Sequence, residues 1–338
     1  MPESTFRPAW WVPGPHAQTI WGKFFRRTHL PPGTLRRYAT DDGDFIEVFE
    51  IEAAPTAPRL VLLHGLEGTL RSHYAQGILE RAYALGWGAD FLLFRGCGPT
   101  DNVAPRFYHS GDTADLACLV RAIVSERPQA PLVFAGYSLG GNVLLKWLGE
   151  RSSDVPSTAV AAMAMSVPYQ LAASAERISR GFSRVYEMHF LRTLRAKALA
   201  KLARYPGLFD AGALASAKTL ADFDDAVTAP VHGFASAQDY YQRSSSIQFL
   251  SAISVRTLLL SAYDDPFLPG EVLTDVAQIA RGNPALEAEF YPHGGHVGFV
   301  SGRAPWHARY FAEDRVMAFF CHQLGVKASH SSAWPGQR

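Results

Sequence analysis

The chain has 338 residues, of which 48% are hydrophobic and 19% charged, with a formal net charge of +1. That balance excludes an intrinsically disordered chain, gives no global attraction to nucleic acid or to a membrane, and leaves room for a large core in one or two domains. The three cysteines, Cys97, Cys118 and Cys321, are scattered without metal-ligand spacing, and their odd number speaks against a disulfide framework. A reducing cytoplasm is then the simplest compartment.

The first residues, Met1 to Arg7, have neither a basic leader nor an apolar core, which argues against a signal peptide. No apolar run approaches the roughly 20 residues that a membrane span needs, and no internal repeat stands out. Phe6 to Leu30 carries Trp10, Trp11, Trp21, Phe24 and Phe25, followed by Arg26 and Arg27. One reading is an interfacial patch that touches lipid; the other is a leader whose rings pack on the main core. Pro13-Gly-Pro15 argues against one continuous amphipathic helix and favours the second.

Leu35–Thr40 and Phe45–Glu52 flank Asp41-Asp-Gly-Asp44 and read as an antiparallel hairpin. Arg59–His64 is a buried strand that ends in His64-Gly-Leu-Glu-Gly68. A helical pattern from His73 to Leu85 is closed by Gly86. Trp87–Phe94 is a strand, and Asp112–Arg127 a helix with Asp112 as expected N-cap. Leu132–Ala135 is a short buried strand, after which a helical pattern resumes from Asn142. Val160–Val167 is a further strand. Strands alternating with helices at this spacing indicate an α/β fold with a mostly parallel sheet.

The alternation then breaks. Residues 169–250 read as helical, and the sheet resumes at Val255–Ala262 and Leu286–Tyr291 before a helix from about Trp306 to Leu324. The expected organisation is a core from 1 to 168, a helical cap or lid insertion over 169–250, the rest of the core over 251–326, and a loose polar tail over 327–338. Within the insertion, Arg177–Arg204 holds eight basic residues and one acid, Glu187, with Leu191, Leu194, Ala198 and Leu202 on one helical face. Such a helix can attract anionic lipid or a phosphorylated substrate; the plainer reading, a solvated face on a lid helix, is preferred.

Between the strand at Leu132–Ala135 and the helix from Asn142 stands Gly136-Tyr-Ser-Leu-Gly140. Strand, Gly-x-Ser-x-Gly and helix is the layout of a nucleophile elbow, in which a sharp turn lifts one serine above the sheet. By composition alone a chain with some twenty serines shows this pentapeptide about one time in ten, so the motif needs partners. A serine hydroxyl needs a histidine base, and the base needs an acid that fixes its tautomer, following in the order Ser, Asp, His. Downstream of Ser138, His296 is displayed by Gly294 and Gly295 in the loop after the strand Leu286–Tyr291, with His293 as its competitor. The acid is expected after Val255–Ala262, in Tyr263-Asp-Asp-Pro-Phe-Leu-Pro269. Aligning Pro269 with the Gly-x-x-Asp-x-x-x-Pro pattern of many enzymes of this arrangement points to Asp265, while a one-residue loop shift would exchange it for Asp264. Two backbone N–H groups should form the oxyanion hole, those of Leu139 and Leu66. His64 precedes the serine and reads as structural, as does the cluster Asp222, Asp224 and Asp225.

Leu63–Gly68, Phe94–Cys97, Tyr108–Gly111, Gly136–Asn142, Asp264–Phe267 and Gly294–Phe299 together resemble the YheT-like α/β-hydrolases, bacterial relatives of eukaryotic α/β-hydrolase-domain lipid esterases. The likeness runs from about Pro15 to Gly325 and includes Gly181–Tyr186 and Asp239–Tyr241. It implies an α/β-hydrolase fold and a cofactor- and metal-independent serine esterase acting on small-molecule acyl esters or lipids, with Ser138, Asp265 and His296 as triad. The chain departs from the pattern after Cys97, where Gly98-Pro-Thr-Asp-Asn102 replaces Ser-Gly-Glu-Pro-Asn at what is expected to be the pocket rim. An acyltransferase or thioesterase on the same residues, or a catalytically silent lipid-binding protein, stands as the alternative. Any peripheral membrane contact is expected through the aromatic N-terminus or the basic helix.

Overall fold

A computed structural model of the chain describes residues 6–326; the polar tail read over 327–338 lies outside the described residues. Helix α1 (Gly14–Phe25) starts within Pro13-Gly-Pro15, because proline's fixed φ suits a first helical turn and its missing N–H leaves no bond unmade there. The signal at Asp41–Asp44 joins β1 (Thr34–Ala39) and β2 (Phe45–Ile51) into an antiparallel hairpin with Ala39 opposite Phe45. β3 (Arg59–Leu63), α2 (His73–Ala84) and β4 (Gly88–Leu93) follow. Gly86, at φ +73°, ends α2 by sending its N–H to the Tyr83 carbonyl and the Trp87 N–H to Ala82.

Several boundaries differ from expectation. α3 (Ala114–Glu126) takes Thr113 as its N-cap, because the Asp112 carboxylate is drawn away to the Arg106 guanidinium at 2.6 Å. β5 (Leu132–Tyr137) passes into α4 (Leu139–Arg151) directly at Ser138, three residues before the helical pattern becomes visible in sequence. The glycines at 140 and 141 hide that first turn from a periodicity reading.

From β6 (Ala159–Met165) to β7 (Arg256–Ala262) every described element is helical. These are α5 (Leu171–Ile178), α6 (Arg184–Arg204), α7 (Ala211–Ser216), α8 (Leu220–Phe223), α9 (Ala229–His232) and α10 (Ala237–Ser244), with short 3₁₀ and π turns between them. Between β7 and β8 (Leu286–Tyr291) lies α11 (Gly270–Gly282), which the sequence reading passed over although two parallel strands require such a crossover. β9 (Val300–Ser301) and β10 (Arg309–Tyr310) form a small ladder before α12 (Phe311–Gln323). α12 begins five residues later than expected because Pro305–His307 is a separate 3₁₀ turn.

The main sheet has eight strands in the order β1-β2-β4-β3-β5-β6-β7-β8, and β2 alone runs against the others. Both faces are covered. Leu63 and Phe134 pack with Leu116, Leu145 and Val276 of α3, α4 and α11, whereas Leu62 and Val133 pack with Leu79 and Phe320 of α2 and α12. Burial on both faces explains why β3 and β5 read as unbroken apolar runs. Each fully buried aliphatic side chain there contributes about 1.5–3 kcal/mol.

Helix α6 has three faces. At about 100° per residue, Leu191, Leu194, Ala198 and Leu202 form a stripe that packs with Phe209, Phe223 and Val227 in a small core of the insertion. Tyr186, Phe190, Lys197 and Lys201 line an edge turned toward the loops at the carboxyl ends of the strands. Val185, Met188, Arg192 and Leu199 face outward.

Candidate active site

In a parallel sheet the loops leaving neighbouring strands emerge on one edge, and side chains on them converge there. Gly65 follows β3, Ser138 follows β5, Ser166 follows β6, Asp265 follows β7 and His296 follows β8, and these five strands are consecutive in the sheet.

Ser138 adopts φ +52° and ψ −121°, a region that non-glycine residues rarely visit and that costs about 1–3 kcal/mol. The turn is held from both sides: the Ser138 N–H donates to the Met165 carbonyl at 2.8 Å, and the Asn142 N–H donates to the Ser138 carbonyl at 3.1 Å. The flanking glycines are there for close approach. A Cβ on Gly136 would lie 2.7 Å from the Gly140 carbonyl oxygen, and one on Gly140 would lie 2.4 Å from that of His64. Leu139 is the first residue of α4, so its N–H has no intrahelical acceptor.

The turn from His64 to Gly68 lies against this elbow, since a Cβ on Gly65 would sit 3.1 Å from the Ser138 Cβ. The Gly65 N–H donates to the Tyr74 hydroxyl at 2.9 Å, the Glu67 N–H to the Tyr108 hydroxyl at 2.9 Å, and the Gly68 N–H to the Gly65 carbonyl at 3.0 Å. Among the described residues, the Leu66 N–H between them has no protein acceptor, which is what a donor reserved for a ligand oxygen requires. His64 is structural. The Phe94 N–H donates to its Nε2 at 3.1 Å, so Nδ1 bears the proton and donates to the Gly65 carbonyl at 2.6 Å. Full burial pushes its pKa down to about 4 and keeps the ring neutral.

The loops after β7 and β8 hold two aspartate–histidine pairs. His296 Nδ1 donates to Asp265 Oδ2 at 2.8 Å, and the Asp265 side chain is fully buried. The second Asp265 oxygen accepts the Phe267 N–H at 2.8 Å. Asp264 instead meets His293 Nδ1 at 3.2 Å and accepts the Gly295 N–H at 2.9 Å, with His293 65% exposed. The alternatives left open by the sequence are thus paired with each other, outside the buried pair. With Nδ1 bound to a carboxylate, His296 keeps Nε2 as its basic nitrogen. Its ring lies 4.3 Å from that of Phe267.

The His296 loop is braced by residues that the sequence reading did not single out. The His296 N–H donates to Thr19 Oγ1 at 3.0 Å, and the Val297 N–H to Ser166 Oγ at 3.1 Å. Gln18, 1% exposed, donates to the Val300 carbonyl at 3.1 Å and accepts the Val300 N–H at 2.7 Å. Nothing in the local pattern of the aromatic leader reveals this, because the partners are nearly 300 residues apart. Glu67 and Tyr108 lay within recognised motifs, and Lys197 within the basic helix, without an assigned role. Among the described residues no cluster of three or more His, Cys, Asp or Glu side chains is arranged to hold a metal ion.

The chain is similar to proteins already known. The model of a family described by the α/β hydrolase fold matches residues 58–302. The protein YheT of Escherichia coli (strain K12) is 38% identical over 318 residues, covering 93% of this chain and 92% of that one. Phospholipase ABHD3 of Mus musculus is 29% identical over 332 residues, covering 95% of this chain and 79% of that one. Among solved structures, an esterase of Pyrococcus furiosus superposes with a TM-score of 0.57 at 16% identity, covering 87% of this chain and 92% of that one, a likeness of fold.

Proposed function

The chain belongs to the α/β-hydrolase family, with the YheT-like proteins as relatives, and is a carboxylic-ester hydrolase; on that premise we propose that Ser138, His296 and Asp265 are its catalytic triad and that it works through an acyl-enzyme. The observation that carries this reading is the buried Asp265–His296 pair at 2.8 Å, whose loops leave the second and third strands along the same sheet edge from a serine held at positive φ.

In this reading His296 Nε2 accepts the Ser138 hydroxyl proton as the oxygen attacks the ester carbonyl. Asp265 orients the imidazole and stabilises its charged form. The Leu66 and Leu139 N–H groups receive the oxyanion, and each such donor is worth about 10²–10³ in turnover. The proton then passes to the leaving alkoxide, the alcohol departs, and water activated by the same histidine releases the acid. The helical segment over 169–250 acts as a cap on this site.

The substrate proposed is a lipid ester, supported by the phospholipase name of one relative and by the aromatic ring of Phe267 beside His296, with Tyr186 and Phe190 packed on Phe267 in turn. Turnover of nitrophenyl esters from short to long acyl chains, with Ser138→Ala alongside, tests both parts. Ser138→Ala should lower turnover by about 10⁶-fold, and longer chains should be preferred. Retained hydrolysis in the variant would sink the triad, and a sharp preference for short chains would sink the lipid substrate.

Peripheral contact with an anionic bilayer belongs to the same proposal. Met188, Leu199 and Val185 are about half exposed on the outer face of α6 beside Arg192, and Phe24 and Phe25 are exposed on α1 beside Lys23. Apolar side chains interleaved with cations suit a headgroup layer. Among the described residues no helix is long and apolar enough to cross a membrane. Sedimentation with phosphatidylglycerol vesicles, but not with phosphatidylcholine vesicles, is expected; equal or absent binding to both would contradict it.

A further inference from the structure

The turn that carries the Leu66 N–H depends on Glu67. That residue sits at φ +57°, a left-handed conformation that costs a side-chain-bearing residue about 1–2 kcal/mol, so something outside the turn must hold it. Its N–H donates to the Tyr108 hydroxyl at 2.9 Å, and the same hydroxyl donates back to Glu67 Oε1 at 2.8 Å. Tyr108 is fixed in turn by stacking on Phe94, with ring centroids 5.3 Å apart and planes within 5°.

The remaining hold comes from far away in sequence. Lys197 of α6 donates to Glu67 Oε1 at 2.8 Å, and its ammonium also lies 3.5 Å from Cys97 Sγ. The Glu67 side chain is 10% exposed, so without a cation its carboxylate would be a poorly solvated charge with reason to swing out and take the turn with it. The residues on either side of Leu66 are therefore anchored, Gly65 through its N–H to Tyr74 and Glu67 through its N–H to Tyr108 and its carboxylate to Lys197. Tyr186 and Phe190, on the same edge of α6, reach Phe267, which lies against His296.

We propose that Lys197 is a positioning residue for the oxyanion turn, acting through the Glu67 carboxylate, so that the turn is complete only while α6 occupies its seat over the site. This rests on the reading of Ser138 as nucleophile and Leu66 as oxyanion donor. The insertion then does more than cover the pocket, because it supplies the cation that holds the electrophilic end of the site.

The test compares an oxo ester with its thiono counterpart, whose sulfur is a weaker hydrogen-bond acceptor and draws less on the oxyanion donors. Lys197→Met is expected to lower kcat on the oxo ester about 10-fold with KM within about 2-fold, and to shrink the oxo-to-thiono ratio by a similar factor. Lys197→Arg should recover most of the loss. Glu67→Gln should reproduce it, and the double variant should lose no more than either single one. If Lys197→Met fails to fold, Glu67→Gln and Lys197→Arg carry the same comparison. A wild-type kcat in Lys197→Met, or equal losses on the two esters, overturns the proposal. Ser138→Ala run in parallel separates that failure from failure of the hydrolase reading, since retained hydrolysis there rejects the nucleophile itself.

Discussion

At the scale of single residues, the site turns on which carboxylate meets which imidazole. Adjacent aspartates on a loop differ by one peptide in sequence, and no periodicity distinguishes them, which is why Asp264 and Asp265 stayed open until the loop was seen. In the structure Asp265 faces inward to His296, while Asp264 faces the exposed His293 and caps the Gly295 N–H. The two are expected to separate sharply on substitution. Asp265→Asn should reduce kcat by about 10⁴, because an amide no longer stabilises the imidazolium and permits the wrong tautomer. Asp264→Asn, which keeps an acceptor for Gly295, should cost less than about 10-fold. Steady-state kinetics of both variants on one nitrophenyl ester decide the matter, and similar losses would reject the assignment. By contrast Ser138 and His296 stand out as candidates in the sequence itself, because Gly-x-Ser-x-Gly between strand and helix and a glycine-framed histidine after a late strand are local patterns.

At the scale of elements, α1 and α6 show what a sequence conceals. The strands were readable, since buried parallel strands are unbroken apolar runs between turn residues. What α1 braces was not, because its partners lie at the other end of the chain. Gln18 makes two bonds to the Val300 backbone from a nearly sealed position, next to the loop that carries His296. Gln18→Leu should leave the buried Val300 N–H unpaired, while the Val300 carbonyl keeps the Ala9 N–H at 2.9 Å, and destabilise the fold by about 1–3 kcal/mol. Urea unfolding measures this directly, and a shift under about 0.5 kcal/mol would mean that α1 does not anchor the loop. The basic, leucine-striped pattern of α6 was visible too, but not its division into three faces. Lys197 looked like one more solvated cation because a helical wheel gives angles and not neighbours.

At the scale of the whole molecule, one sheet edge collects every group that the proposed mechanism uses, and buried imidazoles set the response to acid. Burial pushes the pKa values of His64 and His73 down to about 4, of His109 to about 3 and of His232 to about 2. Below the free-imidazole value of 6.5 the unfolded chain binds protons at these sites and the native chain does not, so stability falls as pH falls. Each depressed histidine withdraws about 0.7 kcal/mol between pH 7 and pH 6. Asp115 and Asp224, raised by burial to about 6, oppose this because the native state takes up their protons first. The net expected loss is about 2 kcal/mol from pH 7 to pH 6, visible as a lower urea midpoint; an unchanged midpoint would show that these rings are not held neutral.

The central claim concerns a covalent bond at one atom, and it is most directly tested by rapid-quench mass spectrometry of the protein turning over a nitrophenyl ester. The account predicts a burst of one equivalent of nitrophenol and a mass increase equal to the acyl group less the displaced hydroxyl hydrogen, confined to the peptide containing Ser138 and absent in Ser138→Ala. An acyl adduct on another residue, or steady hydrolysis by Ser138→Ala at near the wild-type rate, would contradict it.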